Sequence, residues 1–183
     1  MDQFIYKVNI DCKFEIMIKI GVVGCGHLGE FHIKLLTRSK KFDLKGFIDT
    51  NDVKSQEIEK KYNLTRFYDL DNFSNEIEAV IIATPTTFHF KLAKFFIQQK
   101  KHVFVEKPIT STTKEAKELI LLVNKFGLVG QVGHVERFNS AYLNVKNLLN
   151  PMFIEAHRLS HYPERGTDVS VVLDLMIHDI DIV

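Results

Sequence analysis

The stretch Ile18–Gly29, IKIGVVGCGHLG, narrows the folding options of this chain more than any other. A short apolar run, Ile18–Val23, reads as a buried strand. It ends in Gly24-x-Gly26-x-x-Gly29, and a helical pattern follows at once in Phe31-His32-Ile33-Lys34-Leu35-Leu36. Strand, glycine turn and helix in that order are what a dinucleotide pyrophosphate requires. Gly24 permits the tight turn, Gly26 the close approach of backbone to phosphate, and Gly29 the packing of helix on strand. With His27 and Leu28 these glycines form the start of the helix, where free N–H groups and the positive dipole end meet an anion. Asp49 closes the next apolar run, Leu44–Ile48, about 20 residues past Gly29, where it can accept a hydrogen bond from a ribose 2′-OH. A glycine-rich turn with no ligand is the alternative. The flanking strand, helix and acid weigh against it.

Strand and helix patterns alternate along the rest of the chain. Strands are expected at Ile18–Val23, Leu44–Asp49, Ala79–Ala83, His102–Val105 and Leu128–Val132. Helices are expected at His27–Arg38, Val53–Tyr62, Phe88–Gln99, Thr113–Phe126 and Val135–Leu148. Leu92, Phe95 and Phe96 form one apolar stripe, and Ala116, Leu119, Ile120 and Val123 another. Thr110, Ser111 and Thr112 are cap candidates for the helix that Gly127 ends. The pattern predicts an α/β fold with a Rossmann doubly wound parallel sheet. After Val132 the character changes. Met152–Leu159 reads as a strand, Tyr162–Thr167 as a polar turn and Val171–Val183 as a helix. The expected organisation is an N-terminal extension over 1–16 ahead of Met17, a dinucleotide-binding domain over 17–134, and the truncated start of an α+β second domain over 135–183.

The chain has 183 residues and a formal net charge of +1, which gives no reason to expect nucleic acid or an anionic membrane as partner. No apolar run is long enough to span a bilayer as a helix. The N-terminus lacks the basic-then-apolar layout of a signal peptide. Two cysteines, Cys12 and Cys25, make no disulfide framework, and a reducing cytoplasmic setting is expected. His27, His32, His89 and His134 lack metal-ligand spacing with Cys or acidic partners, so no metal is expected.

Four further motifs follow in order: Ala83-Thr84-Pro85-Thr86-Thr87-Phe88-His89, Val105-Glu106-Lys107-Pro108, Gly133-His134-Val135-Glu136-Arg137-Phe138-Asn139, and Asp174-Leu175-Met176-Ile177-His178-Asp179-Ile180-Asp181. Together they resemble the glucose–fructose oxidoreductase/inositol dehydrogenase family, Gfo/Idh/MocA, over residues 17–183. Ala156–Ser160 and Pro163–Val172 are similar to the family's bacterial nucleotide-sugar dehydrogenases. The resemblance implies NAD as cofactor and a sugar or nucleotide-sugar substrate. It puts the nicotinamide half of the cofactor by Thr84 and Pro85, adds His89 to the cofactor-binding set, and implies a cis Lys107–Pro108 bond. It assigns Glu106 to the nicotinamide ribose, Lys107 to cofactor contact and to polarising the substrate oxygen, His178 to proton removal and Asp174 to orienting the substrate.

Asp174 and His178 are four apart, so they share a helix face. On its own, Lys107 reads more readily as a loop lysine beside a turn proline, and His178 as a histidine that caps or packs within a helix. Arg137 and Arg158 fit either a nucleotide diphosphate or a surface ion pair. The family's members continue well past the final motif. The chain is therefore expected to be an N-terminal portion that works as a homo-oligomer or with a complementing C-terminal fragment. A non-catalytic dinucleotide-binding module, or a decayed remnant acting only by binding, is the alternative.

Overall fold

Five short strands carry the fold in the computed structural model, which describes residues 17–148, 150–157 and 170–183. They are β1 (Ile18–Val23), β2 (Phe42–Ile48), β3 (Ala79–Ile82), β4 (His102–Val105) and β5 (Gly130–Val132). All pair in parallel, in the order β2-β1-β3-β4-β5. The chain runs outward from β1 to β2, then returns to β1's other side with β3. Strand order thus reverses at β1, and a crevice opens at the carboxyl ends of β1 and β3, where sheets of this kind bind ligands. Residues 65–67 add a rudimentary strand outside β2. There the Phe47 N–H donates to the Thr65 carbonyl at 3.0 Å and the Phe67 N–H to the Phe47 carbonyl at 2.8 Å.

Helices cover both faces, as a parallel sheet requires. On one side α1 (His27–Leu36) and α2 (Asp52–Tyr62) pack Ile33 and Ile58 against Ile20, Val22, Phe47 and Ile81. On the other, α3 (Leu70–Glu76), α4 (Thr86–Gln98) and α5 (Thr113–Phe126) bring Phe73, Phe96, Ile97, Leu119 and Val123 onto Val80, Ile82 and Val103. The bounds of α5 are those predicted, because both ends are written in the sequence. The Thr112 hydroxyl accepts the Glu115 N–H while the Glu115 carboxylate accepts the Thr112 N–H, and Gly127 closes the helix at φ 63°. Ile120 lies on its exposed side, not in the core stripe. The sequence reading missed α3, a polar segment that buries Phe73 but has little apolar repeat.

The expected helix Val135–Leu148 is instead a 3₁₀ turn, Val135–Phe138, followed by α6 (Ser140–Val145). Asn139 takes an extended conformation between them, and its side chain accepts the Ala141 N–H to start the second piece. The expected strand Met152–Leu159 is absent over residues 152–157, which have no strand to pair with among the described residues. The C-terminal segment is helical as expected, but opens with a π-helical turn, Val172–Met176, before α7 (Ile177–Ile182). The extension 1–16, Arg158 and the turn Tyr162–Thr167 lie outside the described residues. Among the described residues, no helix is long and apolar enough to cross a membrane.

Glu30, in the first turn of α1, joins the two helices of its face. Its carboxylate accepts from Lys54 Nζ at 2.8 Å and Lys61 Nζ at 2.7 Å, both on α2. The hydrogen bond from Lys54, then that from Lys61, lowers its pKa to about 2. A carboxylate with a depressed folded-state pKa contributes stability above its ordinary range and loses it as pH falls through the folded value. Glu30→Gln is therefore expected to be less stable than the parent at neutral pH, with the gap closing as pH approaches about 2. Urea unfolding at stepped pH checks this. A gap independent of pH would show that the two bonds contribute nothing through ionisation.

Candidate functional site

The three glycines of the turn play different physical parts. Gly24 has φ 88°, and a Cβ there would stand 2.6 Å from the Ala83 carbonyl oxygen. A Cβ on Gly29 would fall on the Gly24 carbonyl oxygen. Both are needed by the chain's own packing. Gly26 is exposed, and a Cβ there meets no atom within 4 Å. Its bareness serves nothing inside the fold, and the open space lies at the N-terminus of α1. This is the cradle a pyrophosphate needs. His27 and Leu28 line it from the first turn of α1 and are likewise exposed.

Cys25 faces inward. Burial first, and Asp49 second, push its thiol up to about 12, so it is an inert filler and no nucleophile. Its N–H donates to Asp49 Oδ2 at 2.6 Å, and the Asn51 N–H donates to Oδ1 at 2.7 Å. These bonds aim the Asp49 carboxylate across the turn and leave lone pairs for a ribose hydroxyl. Arg66, from the rudimentary outer strand, was not anticipated. Its Nη2 donates to the Asp49 carbonyl at 3.0 Å and to Asp52 Oδ1 at 2.6 Å, and its guanidinium lies 4.6 Å from the Tyr68 ring centre.

Thr84 and Pro85 stand at the carboxyl end of β3, directly ahead of α4. His89 follows on α4 and is 1% exposed. Its Nδ1 lies 2.8 Å from the Pro108 carbonyl oxygen and its Nε2 2.8 Å from that of Thr84. The expectation that His89 contacts the cofactor is therefore corrected. A buried ring with both nitrogens occupied ties the Thr84 loop to the Pro108 loop.

Glu106, Lys107 and Pro108 follow β4, with the Lys107–Pro108 peptide cis. Glu106 is buried, and its Oε1 accepts from His32 Nε2 of α1 at 2.6 Å. Lys107 Nζ donates to the Asp174 carbonyl oxygen at 2.7 Å and to Asp174 Oδ1 at 2.8 Å, so the structure brings these two predicted residues together across the chain. Asp174 lies in the π-helical turn, a device frequent at functional sites. The lysine uses two of its three donors here and keeps one for a further oxygen. His178 is four residues on, within electrostatic reach of His134 and Asp181.

Arg137 is committed elsewhere than expected. Its Nε and Nη2 donate to the two oxygens of Asp181 at 2.7 and 2.6 Å. That fork lowers the Asp181 pKa and fastens α7 to the segment after β5. The reading of Arg137 as a contact for a substrate phosphate gives way to this ion pair, which was the other reading of its sequence. Burial lowers the pKa of His134, which lies 3.7 Å from the same carboxylate. Among the described residues, no group of three or more His, Cys, Asp or Glu side chains is arranged to hold a metal ion.

Comparison with known proteins places the fold and the family. The family model GFO_IDH_MocA, described as "Oxidoreductase family, NAD-binding Rossmann fold", matches residues 18–134. UDP-N-acetylglucosamine 3-dehydrogenase of Acidithiobacillus ferrooxidans is 36% identical over 169 residues, covering 91% of this chain and 53% of that protein. A solved structure of that enzyme superimposes with a TM-score of 0.83, again over 91% of this chain and 55% of the other. A scyllo-inositol dehydrogenase from Lactobacillus casei, solved with bound NAD(H) and scyllo-inositol, is 28% identical. It superimposes with a TM-score of 0.68 over 73% of this chain and 41% of its own. The chain thus spans about half the length of the curated relatives it matches.

Proposed function

We propose that this chain, which belongs to the Gfo/Idh/MocA oxidoreductase family and carries its NAD-binding Rossmann fold, is the cofactor-binding and part-catalytic half of a nucleotide-sugar dehydrogenase. The observation that carries the catalytic part is the Lys107 ammonium held by Asp174 at the carboxyl end of the sheet, beside the crevice. NAD, when bound, supplies the hydride acceptor for an alcohol carbon.

The remaining work falls to the chain's own backbone and side chains. Gly24, Gly26, His27, Leu28 and Gly29 receive the pyrophosphate, Asp49 the adenosine ribose, and Thr84 and Pro85 the nicotinamide half. Glu106 holds the nicotinamide ribose. Lys107 polarises the substrate oxygen and stabilises its developing charge. His178 takes the hydroxyl proton, a task suited to imidazole near neutral pH. Asp174 fixes the lysine and orients the substrate.

The domains proposed are the nucleotide-binding unit over 17–134 and the start of a substrate and oligomer domain over 135–183. The exposed apolar side chains of Met152, Phe153, Ile154, Met176 and Ile180 favour a covered surface in the working assembly. A second copy, or polypeptide equivalent to the rest of the relatives, would supply the cover. A cytoplasmic location goes with this reading, since free nicotinamide nucleotides are held there. The test is NADH formation from NAD with a panel of UDP-sugars, alone and with the C-terminal half of a relative added. NADH binding without turnover in either case would leave only the binding module.

NAD is expected to bind at least tenfold more tightly than NADP, because the Asp49 carboxylate would lie against a 2′-phosphate and like charges repel. Asp49→Ala is expected to weaken NADH and relax that preference, with Arg66 nearby to receive the phosphate. Competitive titration decides it. Tighter binding of NADPH than NADH by the parent chain would overturn the assignment of Asp49.

A further inference from the structure

We infer that His32 is a positioning residue for the cofactor: it fixes the Glu106 carboxylate that faces the nicotinamide ribose, and so makes α1 serve both the pyrophosphate and that ribose. The inference rests on the proposed role of Glu106. Nothing local in the sequence marks His32, which stands 74 residues from its partner. The geometry is specific. His32 Nε2 meets Glu106 Oε1 at 2.6 Å, while its ring stands edge-on to Phe104 with centres 5.3 Å apart. Both side chains are largely withdrawn from solvent, at 15% and 8% exposure.

The two carboxylate oxygens are unequally used. Oε1 has the imidazole, whereas among the described residues Oε2 receives the Lys107 N–H at 3.3 Å and no closer donor. A buried carboxylate so placed has acceptor capacity for one more strong donor. A ribose diol supplies such donors. Packing alone would be satisfied by any apolar side chain against Phe104. It gives no reason to aim a ring nitrogen at an acid. Because His32 sits on the helix whose first turn faces the pyrophosphate, one rigid element sets the distance between phosphate cradle and ribose acceptor.

The test separates the two halves of the ligand. ADP carries the adenosine ribose and pyrophosphate but no nicotinamide ribose; NADH carries both. His32→Leu keeps the contact with Phe104 and removes the bond. Its NADH affinity is expected to fall about tenfold to a hundredfold, the usual effect of losing a hydrogen bond to a charged group, while ADP affinity stays at the parent's value. His32→Gln, whose amide reaches a similar point, is expected to recover most of the NADH affinity. Glu106→Gln, read in the same way, is expected to show the same selective loss and supplies the comparison if His32→Leu does not fold. An unchanged NADH affinity in His32→Leu overturns the inference. So does an equal loss of ADP and NADH, which would mean that His32 merely shapes α1. A parent chain that binds neither ligand overturns the nucleotide reading itself, and this inference with it.

Discussion

Gly26→Val is expected to abolish NADH binding, lowering affinity at least a hundredfold, in a chain that remains folded. The two halves of that outcome have separate causes. Gly26 has φ −60° and ψ −163°, an extended conformation open to any residue, and its missing Cβ faces no atom of the chain within 4 Å. The fold therefore has room for a Cβ here, and the chain should stay folded with a loss of no more than about 1 kcal/mol, the cost of a poor N-cap residue. The branched side chain fills the space in which backbone and pyrophosphate must approach closely. Gly29→Ala is the control with the opposite balance. Its new methyl would strike the Gly24 carbonyl oxygen, so it should destabilise the fold by about 1–3 kcal/mol, the range for overpacking. Circular dichroism with NADH fluorescence reads both. Normal NADH affinity in a folded Gly26→Val chain would move the nucleotide away from this turn.

Lys107→Met should lower turnover by a factor of about a hundred to ten thousand in the complete assembly, the range for losing a positioned proton-transfer or charge-stabilising group. NADH affinity should change far less. The expectation follows from where the ammonium points. It is held on Asp174 after β4, with β3 lying between β4 and the strand that carries the glycine turn, so its loss is expected to be felt at the reacting alcohol. His178→Ala should share this split. Lys107→Met also strands Asp174, a quarter exposed, without its cation. A loosened C-terminal helix is therefore a second route to inactivity. Hydrogen exchange over α7 distinguishes them: lost turnover with unchanged protection assigns the defect to chemistry. Near-normal turnover would remove Lys107 from the mechanism.

The parts of this molecule that could be read from the chain are those encoded within one or two helical turns. Thr112, Glu115 and Gly127 mark both ends of α5 because caps are local chemistry. The glycine turn and Asp49 were legible because their spacing reflects a single β-α-β unit. What stayed hidden depends on contacts between distant segments. His32 gains meaning only beside Glu106, and Arg66 only once residues 65–67 lie along β2. His89 has a motif's spacing but a brace's surroundings, which burial alone reveals. The helix expected over Val135–Leu148 failed for a local reason that periodicity overlooks. Asn139 can satisfy a helix N-terminus with its own side chain, and does so in the middle of the pattern.

The place of β1 between β2 and β3 has a consequence for how the chain comes off the ribosome. Synthesis delivers the glycine turn before its neighbours: β1 needs β2 on one side and β3 on the other, and β3 ends at Ile82. A nascent chain that stops at Ile48 holds the whole phosphate fingerprint and only half its support. The Ala83 carbonyl that Gly24 packs against, and the Glu106 that His32 grips, have not yet been made. Parallel pairings across such separations close slowly, because the intervening loop must be ordered first. Until the ribosome has passed Ile82, β1 is an apolar strand with an open edge, the kind of surface that chaperones hold.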